Sequence, residues 1–307
     1  MEQQIAANNR KTWGLFTGFF AVVGALAYLG GAAYGSFQIT IFAVIFSVGY
    51  ALWSYFASSK LALSINGARE VDRRTAPELY RIVENLAITR GMPMPKVYII
   101  EDPALNAFAT GRDPQHAVVA ATTGLINSLD KQELEGVMAH ELGHVENRDI
   151  RVSMIAFALV SVVSITADLL LRSFFWGGLS GNRNNDRNGG NAVIIIGVIA
   201  AAILAPLAAK MIQLAISRRR EYLADATGAQ TTRYPEGLAS ALEKIAAQGS
   251  TTRKQNSSTA HLFFANPLSD KHFKNPLTGK SLAKFFSTHP PVEDRIAKLR
   301  GLESKGF

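Results

Sequence analysis

Hydrophobic and polar positions divide this 307-residue chain into alternating blocks. Trp13 to Ala33 and Phe37 to Phe56 contain no charged residue, and each is long enough for a helix to cross a hydrocarbon core of ~30 Å. Gly30-Gly31 and Gly35-Ser36 mark a tight turn between them, which predicts a transmembrane hairpin. A removable signal peptide fits less well, because the first run is long and a second follows almost at once. A second apolar pair follows later: Val152 to Leu171, interrupted only by Asp168, and Ala192 to Ala209, with Pro206 inside. Length predicts a second membrane-spanning hairpin here; a membrane-associated or protein-packed pair is the alternative. The tract from Gly177 to Asn191, rich in glycine and asparagine, is too polar to bury and is expected to be disordered.

Mixed polar and apolar patterning fills the two remaining blocks. In the first, Thr75-Ala76-Pro77-Glu78 opens an amphipathic helix running to Arg90, and Lys96 to Ile100 and His116 to Thr122 read as strands. Asp130 then caps a helix carrying Glu133 and Glu135 in its first turn. The second block starts with a helix through Glu221 and Asp225, continues with a helical stretch from Glu236 to Ile245, and ends in a helix from Val292 to Leu299 introduced by Pro290-Pro291. Ser250 to Thr288 reads as loop, and no internal repeat is evident. The pattern predicts a mainly helical α+β protein in four parts. These are a hairpin at 1–57, one half of a polar domain at 58–150, a second hairpin at 151–210, and the other half at 211–307.

Composition and charge refine that picture. Hydrophobic residues make up 48% and the mean hydropathy is +0.10, which suits a membrane protein with a large water-exposed portion. Lysine and arginine cluster at one side of the predicted spans: Arg10-Lys11, Lys60, Arg148 and Arg151, Lys210 and Arg218-Arg219-Arg220. The first turn has none, and Arg172, Arg183 and Arg187 are a mild exception in the loop of the second hairpin. The positive-inside rule then places both termini and both polar blocks in the cytoplasm, in a multi-pass protein of the inner membrane. The excess of 32 basic over 24 acidic residues reads as charge at a lipid bilayer surface. No base-reading motif accompanies it, which argues against nucleic acid. The absence of cysteine excludes thiol catalysis and a disulfide framework.

The strongest chemical signal is His140-Glu141-Leu142-Gly143-His144. Residues four apart share a helix face, so both imidazoles can converge on one ion, while Glu141 projects beside it as a proton acceptor. Such a site needs a third protein ligand. None of His116, His261, His272 and His289 lies at the short spacing that would extend the motif. Glu221 is the better candidate, with Asp225 on the same face able to hold the second ring N–H of a ligating histidine. Ser217 to Asp225 also reads as a solvated helix stabilised by Arg–Glu pairs, and the pattern alone leaves both readings open.

Six blocks in order then carry a family resemblance: Met92 to Ile100, Asn106 to Arg112, Ala120 to Leu125, His140 to Asp149, Ser217 to Asp225, and His289 to Ile296. With its hydrophobic segments, the chain resembles the HtpX family of membrane-bound zinc metalloproteases, relatives of the CAAX-prenyl protease. The resemblance implies a zincin-type (gluzincin) fold with two transmembrane hairpins and one Zn2+ per chain held by His140, His144 and Glu221. It implies Glu141 as general base, with zinc lowering the pKa of its water towards ~7. His289 becomes a candidate oxyanion donor, against a plain helix-introducing role. Asn106-Ala107-Phe108 matches the edge strand to which a substrate backbone adds. The expected substrates are misfolded or unfolded membrane proteins, cleaved as part of quality control under stress. Two other classes stay open: an inactive scaffold of the same fold, and a transporter component suggested by the apolar segments and Asp168. Oligomeric state is not legible in the sequence.

Overall fold

The structure, a computed structural model, describes residues 36–156, 158–159, 218–253, 262–265 and 290–303, with 10, 13, 14, 16–21, 23–25, 27 and 28 near the N-terminus. The chain divides into two compact units. One comprises 58–154 with the described residues beyond 215; the other comprises the described residues of 10–57 and 155–159. The tract 177–191, most of the second predicted hairpin and His289 lie outside the described residues.

In the second unit the described positions from 13 to 28 are helical, and the Thr40 hydroxyl donates to the Ala27 carbonyl at 3.1 Å. Helix α1 runs from Phe37 to Asn66 and is the one helix among the described residues long and apolar enough to cross a membrane. Phe42, Ile45, Phe46, Trp53 and Phe56 are exposed along it, a surface suited to lipid. The helix outlasts the uncharged run that ends at Phe56. A single Lys60 does not break it, Ala62 and Leu63 are buried, and the turn comes only at Gly67 with φ 68°.

The first unit is a four-stranded mixed sheet packed on helices. Its strands are β1 (Ala68–Val71), β2 (Lys96–Ile100), β3 (Ala107–Thr110) and β4 (Val118–Thr122), in the order β1-β2-β4-β3. β2 and β4 are parallel, and the two outer pairs are antiparallel, with Ala107 opposite Ala121 at the β3 end. β4 begins later than the sequence suggests. Asp113 accepts a hydrogen bond from the His116 N–H and draws Pro114–His116 into a 3-10 turn ahead of the strand.

The helices are α2 (Pro77–Thr89), α3 (Thr123–Ser128), α4 (Lys131–Glu146), α5 (Arg218–Thr232), α6 (Pro235–Gln248) and α7 (Val292–Glu303). In α2, proline opens the first turn and Leu79, Ile82, Val83 and Leu86 form one buried stripe at helical spacing. α4 starts with a full capping box: the Asp130 carboxylate accepts from the Gln132 and Glu133 amides, and the Glu133 carboxylate accepts from the Asp130 amide. Val97, Val119, Leu134, Val137, Met138, Leu142, Leu238 and Leu242 join strands and helices in one core.

Candidate metal centre

Two close helix contacts set the site. Gly136 and Gly228 allow α6 and α5 to approach α4 so tightly that a Cβ would lie 2.8 Å from the Leu238 nitrogen and 3.0 Å from the His140 nitrogen, respectively. The close approach at Gly228 brings the first turns of α5 across the face of α4 that bears the two histidines. Glu221 and Asp225 are buried there, which rules out the solvated-helix reading. Arg218 is exposed at the start of α5, and Arg220 is the buried arginine of that turn.

His140 Nε2 and His144 Nε2 lie 3.1 Å apart. Glu221 oxygens lie 3.5 Å from His144 Nε2 and 3.9 Å from His140 Nε2. One donor atom from each of the three residues falls within 4.8 Å of the others, the one such group of histidines and acids among the described residues. Ligand atoms about 2.0–2.1 Å from a tetrahedral ion stand roughly 3.3 Å apart, so a small divalent cation fits this donor set.

The far side of each imidazole is also held. Asp225 Oδ1 is 2.8 Å from His140 Nδ1, and Asp149 Oδ2 is 3.1 Å from His144 Nδ1. Each carboxylate is placed to accept an Nδ1–H, which in the neutral ring leaves the Nε2 lone pair turned inward, the tautomer a metal needs. Glu141, 2% exposed, sits beside them, and its negative charge acts on His144 and Arg295.

The metal-free electrostatics reflect this packing. Burial pushes the His140 imidazole down to about 4, despite the opposing pull of Asp225. Burial pushes His144 down too, but its hydrogen bond to Asp149 and the charges of Glu221, Asp149 and Glu141 outweigh it and raise the ring to about 9. Burial alone would raise Asp225; the Arg295 charge and hydrogen bonds from His140 and Arg295 hold it at about 2 instead.

Three partners carried no signal of this role in the sequence. Arg295, on α7, donates to both oxygens of Asp225, from Nη2 at 2.7 Å and Nε at 2.9 Å. Phe264 lies edge-on to the His140 ring at 5.0 Å, under the Arg295 guanidinium at 4.8 Å. Asp149 follows His144 by five residues, a spacing that no single helix face would suggest.

The edge-strand residues are placed differently from a vacant rim. β3 is the last strand of the sheet, and residues 262–265 already lie along it: Phe263 bridges Phe108 antiparallel, and the Phe264 N–H donates to the Ala107 carbonyl at 2.7 Å. Asn106 precedes the strand. Its Nδ2 donates to the Ala265 and Ser250 carbonyls at 2.8 and 3.1 Å, and its Oδ1 accepts from the Ala265 N–H at 3.1 Å.

A helix-borne histidine pair, a carboxylate from a second helix and an adjacent buried glutamate define a metallopeptidase centre. Comparison agrees: the profile of "Peptidase family M48" matches residues 73–303, and the chain belongs to that family. It is 49% identical over 296 residues to a protease HtpX homolog of Tropheryma whipplei (strain Twist), covering 96% of both chains. It is 44% identical over 302 residues to a protease HtpX homolog of Ligilactobacillus salivarius (strain UCC118), covering 97% of this chain and 98% of the relative. The fold is similar to the crystal structure of S. mikatae Ste24p, with TM-score 0.50 and 21% identity, over 97% of this chain and 66% of that one. The protein is a metalloprotease.

Proposed function

We propose that this protein is a membrane-bound, zinc-dependent endopeptidase of the gluzincin type, acting on misfolded or damaged membrane proteins at the cytoplasmic face of the inner membrane. The observation that carries the reading is the convergence of His140, His144 and Glu221 beside buried Glu141. Two imidazoles and one carboxylate match the three-ligand sets of catalytic zinc sites, which leave one position open. One zinc per chain would supply Lewis acidity and bring the pKa of a held water to about 7.

The chain's own groups do the rest. Asp225 and Asp149 orient the two imidazoles by accepting their Nδ1–H protons. Glu141 accepts the proton of the attacking water and delivers it to the nitrogen of the leaving amine. His289, immediately before Pro290-Pro291, is proposed as the further donor to the oxyanion. Asn106-Ala107-Phe108 is proposed as the region where a substrate backbone adds to the sheet; because Phe263 bridges Phe108 and the Phe264 N–H donates to the Ala107 carbonyl, the substrate adds there by displacing residues 262–265.

Two hairpins, within 1–57 and 151–210, hold the catalytic halves 58–150 and 211–307 at the bilayer. The second hairpin separates His144 from Glu221 in sequence, so both of its ends lead into ligand-bearing helices. That placement supports substrates drawn from the membrane. Cysteines introduced at Ser257 and Ser180 of this cysteine-free chain test the topology: they should label from opposite sides of intact cells. Labelling of both from the cytoplasmic side would mean that the second pair lies on or within the inner leaflet, and reduces the four spans to two.

Activity is tested with Glu141→Gln. Purified in detergent with zinc retained, the variant should bind zinc as wild type does and cleave an unfolded membrane substrate about 10²–10⁴-fold more slowly. A cleavage rate unchanged by Glu141→Gln would overturn the assignment of Glu141 as the proton acceptor.

A further inference from the structure

Asp225 is held from two sides. Its Oδ1 lies 2.8 Å from His140 Nδ1 and 2.7 Å from Arg295 Nη2, while its Oδ2 receives Arg295 Nε at 2.9 Å. Arg295 is 1% exposed and belongs to α7, 155 residues after His140 in the chain. Its Nη2 also approaches His140 Nδ1 to 3.5 Å, so ring and guanidinium converge on one carboxylate oxygen. Phe264 closes the group, with the imidazole against one part of its ring and the guanidinium over its face. Asp225 and Arg295 are both buried, so removing either leaves the other as a buried charge without its counter-ion.

We infer that Arg295 is a positioning residue for the metal ligand His140, acting through Asp225, and that metal retention therefore depends on α7. The inference rests on the proposed zinc site. A carboxylate hydrogen-bonded only to an imidazole can rotate about its last side-chain bond and carry the ring with it. A guanidinium fork bound to both oxygens stops that rotation and supplies the counter-charge a buried carboxylate needs. Lysine provides the charge without the fork, so the geometry distinguishes the two cations. The relation is reciprocal: zinc on His140 stabilises the docked state of α7.

Arg300 provides the control on the same helix. It pairs with Glu236 and Glu243 on α6, tethering α7 while half-exposed and outside the His140–Asp225 chain of contacts. A role confined to holding α7 in place would be shared by Arg295 and Arg300; a role in aligning His140 belongs to Arg295 alone.

The test measures zinc affinity of the full-length protein in detergent, by competition with a chromogenic chelator, for wild type, Arg295→Met, Arg295→Lys, Arg300→Met, Asp225→Asn and the double variants at 225 and 295. Arg295→Met should weaken zinc binding roughly 10–100-fold, as expected for an outer-shell partner. Arg295→Lys should recover part of that loss, and Arg300→Met should stay within about twofold of wild type. Because Arg295 acts through Asp225, its substitution should add little in the Asp225→Asn background. Multiplying effects at 225 and 295, or wild-type zinc affinity in Arg295→Met, would overturn the inference. If Arg295→Met does not fold, Arg295→Lys and its double variant decide by the same comparison. Failure of wild type to bind zinc stoichiometrically would instead overturn the metal-site reading itself.

Discussion

His144 Nδ1 meets Asp149 Oδ2 at 3.1 Å because the chain reverses between them through Arg148 at φ 58°. On an unbroken helix, five residues carry a side chain roughly 140° around the axis, away from the imidazole. α4 instead ends at Glu146, and a left-handed residue turns the backbone so that Asp149 points back at its own helix. A left-handed non-glycine residue costs about 1–2 kcal/mol. Arg148 is exposed, so its conformation, not its side chain, is what the site requires. Arg148→Gly should keep zinc affinity within about twofold, whereas Arg148→Val, branched at Cβ, should lose more than about 1 kcal/mol of stability. Asp149→Ala should weaken zinc roughly 10–100-fold. Chelator competition checks the two affinities and denaturant unfolding the stability of Arg148→Val, and wild-type affinity in Asp149→Ala would remove Asp149 from the site.

Glu221 gives a sharper test, since it is placed among the donor atoms rather than behind them. Glu221→Ala should lose zinc on dialysis and lose cleavage with it. Glu221→Gln, which keeps an oxygen donor but not the charge, should fall between Glu221→Ala and wild type. Metal content by atomic spectrometry reads both. Full occupancy with normal activity in Glu221→Ala would leave the third ligand to be found elsewhere.

What was legible in the sequence was local. Asp130 and Glu133 three residues apart announce the start of α4, and histidines four apart announce a shared face. Glu221 and Asp225 carry the same helical logic, but only the approach of α5 at Gly228 separates a buried site from a solvated helix. Arg295 was hidden for a different reason. The matching block His289 to Ile296 contains it but gives it no role, and its partner Asp225 lies 70 residues away. β1 escaped because Arg69 and Glu70 are exposed on an edge and only Val71 is buried, so no alternating pattern develops. Phe263 and Phe264 sit in a stretch whose composition reads as loop, and only β3 gives them a strand partner.

Acidity should act on the metal-free protein from two directions. His140, held near 4, is below the unfolded imidazole value of about 6.5, so the unfolded chain binds the extra proton and stability falls as pH drops from about 6.5 towards 4. His144, raised to about 9, binds a proton that the unfolded chain has released above about 6.5. Its contribution is fully present below that value and is lost as pH rises through 9. Stability without metal should therefore peak near pH 6.5. Zinc requires neutral imidazoles, so binding at pH 7.5 should release close to one proton, from His144. Calorimetry in buffers of differing ionisation enthalpy measures that proton, and a value near zero would contradict the raised His144.

Asn106 separates a structural from a substrate-facing role. It is fully buried, and its amide joins Ser250, Ala265 and the start of β3 through hydrogen bonds of 2.8 to 3.1 Å. Removing it takes a hydrogen bond from the part-buried backbone groups of 250 and 265, each worth about 0.5–1.5 kcal/mol. Asn106→Ala should therefore lower the thermal midpoint clearly. Asn106→Asp should be at least as damaging despite its shape, because its carboxylate would face the carbonyls of Ser250 and Ala265 where an NH2 now donates. Loss of this clamp frees Phe264 from Ala107 and from the His140 ring, so zinc affinity should decline along with stability. Thermal melts of the zinc-loaded and metal-free protein, set beside kcat/KM on one peptide, read both effects. Wild-type melting with only KM raised would mean that Asn106 meets the substrate directly, and that residues 262–265 give way to it.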